Sequence, residues 1–195
     1  EKRLMVVVPL VLLSIFLILY FQFRAVPTSL MVFAGVAVAF SGGFMLIWLY
    51  GQDWFMDVDL FGRSMRDLFQ IHPVNLSVAV WVGFIALFGV ATDDGVLMAT
   101  YLDDQFRKST PTDVASVRAA VVKAGMKRVR PAMMTTATTL IALLPVLTST
   151  GRGSDIMVPM AIPSFGGMVV ASITIFVVPV LYCARMERRL KDQRT

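Results

Sequence analysis

The sequence predicts an all-α membrane protein: a bundle of five transmembrane helices with amphipathic helices at its interfaces. Three observations carry that prediction. The 195 residues are 57% hydrophobic and 16% charged, against about 45–50% and about 25% in a soluble domain, and the mean hydropathy is +0.74. Five apolar runs are each long enough to cross the roughly 30 Å of bilayer hydrocarbon. Helices are the default there, because lipid offers no partner to an unpaired backbone group. The charged residues gather at the ends of those runs. Spans and connections together use the whole chain, which leaves no room in it for a sizeable extramembrane domain.

The first span, 4–23, is nearly uninterrupted and opens after Glu1-Lys2-Arg3. It is too long for a signal-peptide core, and a second span follows at once, so no cleavable signal is expected. Glu1 in place of Met predicts a fragment or a processed piece. The second span, 29–50, follows the turn Arg24-Ala25-Val26-Pro27-Thr28. Residues 51–74 then mix Trp54, Phe55, Val58, Phe61, Met65, Leu68 and Phe69 with Asp53, Asp57, Asp59, Arg63, Arg66 and Asp67. That mixture reads as a helix lying on the outer membrane interface.

The third span, 75–102, carries Asp93 and Asp94 in its second half. Residues 110–130 begin Thr110-Pro111-Thr112-Asp113, a helix start, and Val114, Val117, Val121 and Val122 recur at roughly helical spacing. This predicts a cytoplasmic amphipathic helix that ends at Arg130-Pro131, where the chain turns into the fourth span, 131–150. The fifth, 156–186, is longer than a span needs, so a loop or irregular turn is expected at its start. Small residues concentrate on the second span (Gly35, Ala37, Ala39, Ser41, Gly42, Gly43) and the fifth (Ser164, Gly166, Gly167, Ala171, Ser172). They let helices approach closely and are read as bundle packing.

Net charge is +5, from 18 Lys and Arg against 13 Asp and Glu. In a soluble protein that would suggest nucleic acid. Here the distribution argues topology instead, with the bilayer as medium and no nucleic-acid partner. Loop 103–130, tail 185–195 and Arg24 hold 13 basic residues, and the other side holds five, Lys2, Arg3, Arg63, Arg66 and Arg152. The basic side is expected in the cytoplasm, which places the N-terminus outside and the C-terminus inside.

Asp93 and Asp94 are the most informative residues. A carboxylate inside a span costs at least about 2.5–3.5 kcal/mol on insertion scales, and such groups mark ion or proton pathways. Surroundings of low dielectric favour the uncharged form of any carboxyl. Two readings stand side by side: proton coupling, or a solvated structural pair near the cytoplasmic interface. Thr135, Thr136, Thr138 and Thr139 open the fourth span. Thr135 and Thr139 share a face by i, i+4 spacing, and either relay a proton held by the acids or bond their own helix. The 13 methionines suit soft cations such as Cu(I) or irregular packing. His72 is alone, and the single Cys183 excludes an internal disulfide and a cysteine metal cage. No phosphate loop, zinc motif or nucleophile triad is present, so neither catalysis nor a cofactor is expected.

Several runs resemble those of the resistance-nodulation-division efflux pumps. They are Gly83-Phe84-Ile85-Ala86-Leu87-Phe88-Gly89-Val90-Ala91, Arg128-Val129-Arg130-Pro131, Met134-Thr135, Leu143-Leu144-Pro145, Thr150-Gly151-Arg152-Gly153-Ser154-Asp155 and Gly166-Gly167-Met168. Their order is similar to the membrane part of the C-terminal half, and the resemblance is closest to the heavy-metal exporters, the Cus-type copper and silver pumps. It implies that Asp93 occupies a position where multidrug members have lysine and Cus-type members an acid implicated in proton relay. It likewise matches Thr135 to a relay threonine, Arg128 to a basic residue beside it, and Met157 to a methionine on a metal path. Three departures stand out. Ala132 replaces a relay lysine, Asp94 replaces an apolar residue, and the 51–74 connection is longer than usual.

The resemblance implies a proton-driven inner-membrane exporter of heavy-metal cations such as Cu(I) or Ag(I), working as a homotrimer with a periplasmic adaptor and an outer-membrane channel. It also implies that the first half, the preceding span and both periplasmic domains lie outside these residues. The chain is therefore not expected to transport without the rest of the transporter. The alternatives are an exporter of drugs, lipids or divalent metals, or a non-transporting truncated fragment that needs a partner chain.

Overall fold

The computed structural model describes residues 2–57, 59–60, 63–109 and 113–192. Glu1, Val58, Phe61, Gly62, Thr110, Pro111, Thr112 and 193–195 fall outside that description.

Five long helices form the bundle: α1 (Lys2–Phe23), α2 (Val26–Tyr50), α4 (Val78–Ser109), α5 (Val114–Leu147) and α6 (Ser154–Asp192). All five are long and apolar enough to cross a membrane, as the hydropathy predicts. Between α2 and α4 lie two short strands, β1 (Asp59–Leu60) and β2 (Arg63–Ser64), paired antiparallel, and the one-turn helix α3 (Met65–Leu68).

Helix length organises the molecule. α1 and α2 have 22 and 25 residues, about 33 and about 38 Å at 1.5 Å per residue. α4, α5 and α6 have 32, 34 and 39, about 48 to about 58 Å, well beyond the roughly 30 Å of hydrocarbon. The surplus carries the charge: Asp103, Asp104, Arg107 and Lys108 end α4, Arg118, Lys123 and Lys127 begin α5, and Arg185, Glu187 and Arg188 end α6. The three helices thus continue together past the apolar zone at a basic end.

Three expectations are corrected. The described residues of 51–74 do not form an interfacial helix. They form a set of turns around the short strands and α3, with Met56 and Gln70 at positive φ, a conformation that interrupts any helix. The Arg66 guanidinium holds the turn by donating to the backbone carbonyls of Gln52 and Asp53. Ile71 is buried with Tyr50, Leu147, Val158 and Ile162 and closes the end of the bundle opposite the basic one.

No break occurs at Arg130–Pro131: α5 is continuous from Val114 to Leu147. Pro131 removes only one backbone donor. Val121, Ala124, Val129 and Ala132, on both sides of it, pack in one apolar cluster that keeps the axis intact. Asp113 caps the start of α5, its backbone N–H donating to Ser116 Oγ at 3.1 Å. The start of α6 is likewise helical rather than looped, running from Ser154 through Pro159 and Pro163 after Gly153 at φ +94°.

α6 is the central helix, packed along α2, α4 and α5. Glycines make this possible. A methyl group on Gly83 of α4 would lie 2.2 Å from the Met160 carbonyl oxygen of α6, and one on Gly42 of α2 would lie 2.6 Å from Val170. Ser164 Oγ of α6 donates to the Gly83 carbonyl at 3.0 Å across the same contact.

Candidate functional site: the carboxylates of α4

The buried residues of α4 fall into two groups. Val80, Phe84, Leu87, Phe88 and Ala91 join a cluster with Val36 and Ala39 of α2 and Met168 and Ala171 of α6. Met98, Leu102 and Phe106 join another with Val117 to Ala132 of α5 and Ile175, Val178 and Tyr182 of α6. Asp93 and Asp94 occupy the gap between them. The same gap on α5 follows Ala132 and holds Thr135, Thr136, Thr138 and Thr139. On α6 it lies between Ala171 and Ile175 and holds Ser172 and Thr174. The two apolar clusters are therefore separated by a polar seam that crosses three helices.

Within the seam the two acids differ. Asp93 is exposed on the outer surface of the five-helix bundle. Asp94 is turned inward, and Arg128 Nη2 of α5 lies 3.7 Å from its Oδ1, with both side chains less than a fifth exposed. That separation makes an ion pair rather than a hydrogen bond. The Arg128 Nε is buried without a hydrogen-bond partner among the described residues. Arg128, Ala132 and Thr136 follow one another at i, i+4 on α5, and Ala132 and Thr136 are buried. The remaining ion pairs among the described residues lie at the ends of the bundle: Arg66 with Asp53, Arg107 with Asp103, Lys108 with Asp104, and Arg118 with Glu187.

The threonines bond their own helix. Thr135 Oγ1 donates to the Pro131 carbonyl at 2.8 Å, and Thr139 Oγ1 to the Thr135 carbonyl at 2.8 Å. Thr136 and Thr138 do the same toward Ala132 and Met134. A hydroxyl that donates to its backbone keeps its oxygen lone pairs. It can accept a hydrogen bond from a protonated carboxyl and has no proton left to offer a charged one. The structure thus brings Asp94 to Arg128 but shows no hydrogen bond from Thr135 or Thr139 to either acid among the described residues.

Met157 stands apart from the seam, exposed near the start of α6. Met98 and Met168 are buried in the two clusters as packing residues. No group of three His, Cys, Asp or Glu suited to a metal ion occurs among the described residues.

With this geometry in place, residues 69–185 match the AcrB/AcrD/AcrF family. The chain belongs to that family. The matched stretch contains both acids, Arg128, the threonine run and Met157, the parts of this AcrB/AcrD/AcrF-family chain that could carry charge or bind a soft ion.

Among curated proteins the chain is 34% identical over 194 residues to the cation efflux system protein CusA of Escherichia coli K12, a match covering 93% of this chain and 16% of CusA. It is 30% identical over 181 residues to the cobalt-zinc-cadmium resistance protein CzcA of Cupriavidus metallidurans, covering 92% of this chain and 14% of CzcA. A solved crystal structure of a heavy metal efflux pump superposes with TM-score 0.70 at 29% identity, over 94% of this chain and 15% of that one. The chain spans about a sixth of the length of the relatives it matches.

Sequence reasoning picked out the acids and Arg128 but not the contact between Asp94 and Arg128. It also missed Ser172 and Thr174 as parts of one seam. The available signal was hydroxyls clustered on two spans at the depth of the two acids.

Proposed function

We propose that the chain is the C-terminal membrane portion of a proton-driven inner-membrane exporter of heavy-metal cations, with Cu(I) or Ag(I) as substrate. The observation that carries this reading is the carboxylate pair in the polar seam, midway along a spanning helix. Asp93 takes a proton from the outside and releases it to the cytoplasm. Asp94, held against Arg128 between α4 and α5, supports the relay. When Asp93 is neutral, Thr135 and Thr139 supply acceptor oxygens for its proton. Loss of that charge changes what α4 packs against and shifts the apolar cluster on the basic side of the seam. That movement drives a distant substrate domain.

Other features of the reading follow from the family and the charge distribution. The 13:5 bias of basic residues supports a cytoplasmic C-terminus and a periplasmic N-terminus. Met157, exposed at the opposite end from the basic residues, contributes to the metal path there. The complete transporter works as a homotrimer in the lipid bilayer with a periplasmic adaptor and an outer-membrane channel. It catalyses no covalent chemistry and is not an enzyme.

Resistance conferred by the complete gene product in a metal-sensitive bacterial host tests this. Asp93→Asn abolishes copper and silver resistance at normal protein levels, and unchanged resistance refutes the relay. A second reading, export of divalent metals, is favoured by the relatives' names: CzcA, and the nickel and cobalt resistance protein CnrA at 29% identity. Quenching of tryptophan fluorescence in the full pump by silver, but not by zinc or a dye, separates the two.

A further inference from the structure

A groove of about 610 Å³ runs between α5 and α6, lined by Val121, Val122, Gly125 and Val129 of the first helix and Phe176 and Val180 of the second. It opens outward: Val122, Phe176 and Val180 are each more than half exposed. Arg118 Nε and Glu187 Oε1 meet at 2.7 Å across its end. Close by on α6, Arg185 Nη1 donates to Thr28 Oγ1 near the start of α2 at 3.2 Å. The Arg118–Glu187 pair therefore stands level with the turn between α1 and α2. The apolar runs of both helices stop there, which is the level of lipid headgroups. From Arg118 to Val129 α5 advances about 16 Å, roughly the depth of one leaflet of hydrocarbon.

Beside the groove α5 carries a row of cations. Lys123, Lys127 and Arg130 stand at i, i+4 and i+7, on one helix face, and all three are exposed. Val122 and Met126, one turn apart and both exposed, join the row to the groove. The charge of the row is not cancelled nearby. α5 contains no Asp or Glu from Val114 to Leu147. On the helices packed against it, Glu187 lies against Arg118, Asp94 against Arg128, and Asp103 and Asp104 against Arg107 and Lys108. Among the described residues no ion pair reaches Lys123, Lys127 or Arg130, from Asp93 or any other acid. Asp113, which caps α5, precedes Lys123 by about 15 Å of helix axis, beyond the screening length of about 8 Å. With each of these pairs counted as neutral, the row keeps all its positive charge.

We propose that groove and row form one site for an anionic phospholipid, with an acyl chain along the groove and the headgroup phosphate held by the row. Lys and Arg side chains at this depth lay their apolar stems along the helix and carry their charge toward the headgroups. Basic sites on spanning helices recognise anionic headgroups. An acidic protein segment fits the same face less well, because carboxylates are costly inside the apolar zone. The bound chain fills the space that packing leaves open between α5 and α6. The site is separate from the seam and does not depend on the relay.

The test uses the complete gene product, delipidated in neutral detergent and titrated with dioleoyl phosphatidylglycerol, dioleoyl phosphatidylcholine or inorganic phosphate. Lipid adducts are read by native mass spectrometry. Phosphatidylglycerol is expected to bind in preference to phosphatidylcholine, and millimolar inorganic phosphate to compete only weakly. Lys123→Gln with Lys127→Gln weakens phosphatidylglycerol binding about thirtyfold, the equivalent of about 1 kcal/mol for each charge. Lys123→Arg with Lys127→Arg retains most of it, which separates lost charge from lost folding. Arg107→Gln with Lys108→Gln removes as much charge from the end of α4 and leaves binding unchanged. Gly125→Leu extends a side chain into the groove, where a methyl group meets nothing within 4 Å, and weakens binding of both lipids while the preference for phosphatidylglycerol remains. Equal binding of the two lipids, as when another segment of the full chain covers this face, overturns the proposal. So does equal weakening by the two glutamine pairs, or unchanged binding in Gly125→Leu. Displacement of phosphatidylglycerol by millimolar inorganic phosphate overturns the lipid source.

Discussion

The two apolar clusters along α4 are built differently. On one side of the seam, rings and glycines interlock. Phe40, Phe44 and Phe84 lie with centroids 4.7–4.8 Å apart, and Gly83 and Gly42 bring α4 and α2 against α6 with no room for a methyl group. On the basic side valine, alanine, leucine, isoleucine and methionine surround Phe106 and Tyr182, whose ring centroids lie 5.3 Å apart. A methyl group on Gly125 there would meet nothing within 4 Å, and the rim is charged. Close interlocking tolerates no change of shape, whereas a mainly aliphatic three-helix contact has room to adjust. A charge change at Asp93 lies between a fixed block and an adjustable one, so its mechanical effect falls on the adjustable side.

The largest effect that can break this comparison comes from the glycines. Gly83→Ala forces its new methyl group into the Met160 backbone and should abolish folded protein, seen as loss of the monodisperse peak in fluorescence-detected size-exclusion chromatography. Gly125→Ala at the basic end should be neutral, or stabilising by up to about 1 kcal/mol from helix propensity. Equal losses at both sites would mean that the clusters do not differ.

The ion pair comes next. Arg128→Met leaves Asp94 in the seam without its countercharge and should destabilise by about 3 kcal/mol, because removing one partner of a buried pair leaves the other uncompensated. Adding Asp94→Leu should recover most of that loss, since replacing both partners with apolar groups is close to neutral. Thermal unfolding of the two variants in detergent measures it. A double variant no better than Arg128→Met would show that Arg128 matters through some contact other than Asp94.

The smallest effect is at the charged rim. Lys108 Nζ lies 2.7 Å from Asp104 Oδ2, both side chains more than half exposed. Lys108→Gln should change stability by no more than about 0.5 kcal/mol, as such i, i+4 pairs do, and by less still in high salt. A larger shift in Tm would mean that the basic end is less adjustable than its packing suggests.

The spans were legible because twenty or so apolar residues leave few other structures open in lipid. Asp93 and Asp94 were legible because two charges inside such a run stand out from it. What failed depended on packing. The helical continuation across Pro131 rests on Val129 and Ala132 meeting α6 and α4, which no local signal at Arg130-Pro131 announces. The turns at 51–74 rest on Arg66 finding the carbonyls of Gln52 and Asp53. The Asp94–Arg128 contact depends on the register of two antiparallel helices, and the seam exists only once both clusters are assembled. Polar residues scattered over three helices do not show from spacing alone that they share a level.

The central claim is that the charge state of Asp93 couples proton influx to export. Proteoliposomes of the complete gene product, under an imposed pH gradient and with a pH-sensitive dye inside, measure that coupling directly. Wild type should acidify its lumen when silver is supplied. Asp93→Asn, at the same protein content, should show no silver-dependent proton movement. Proton flux in Asp93→Asn equal to that of wild type would contradict the account.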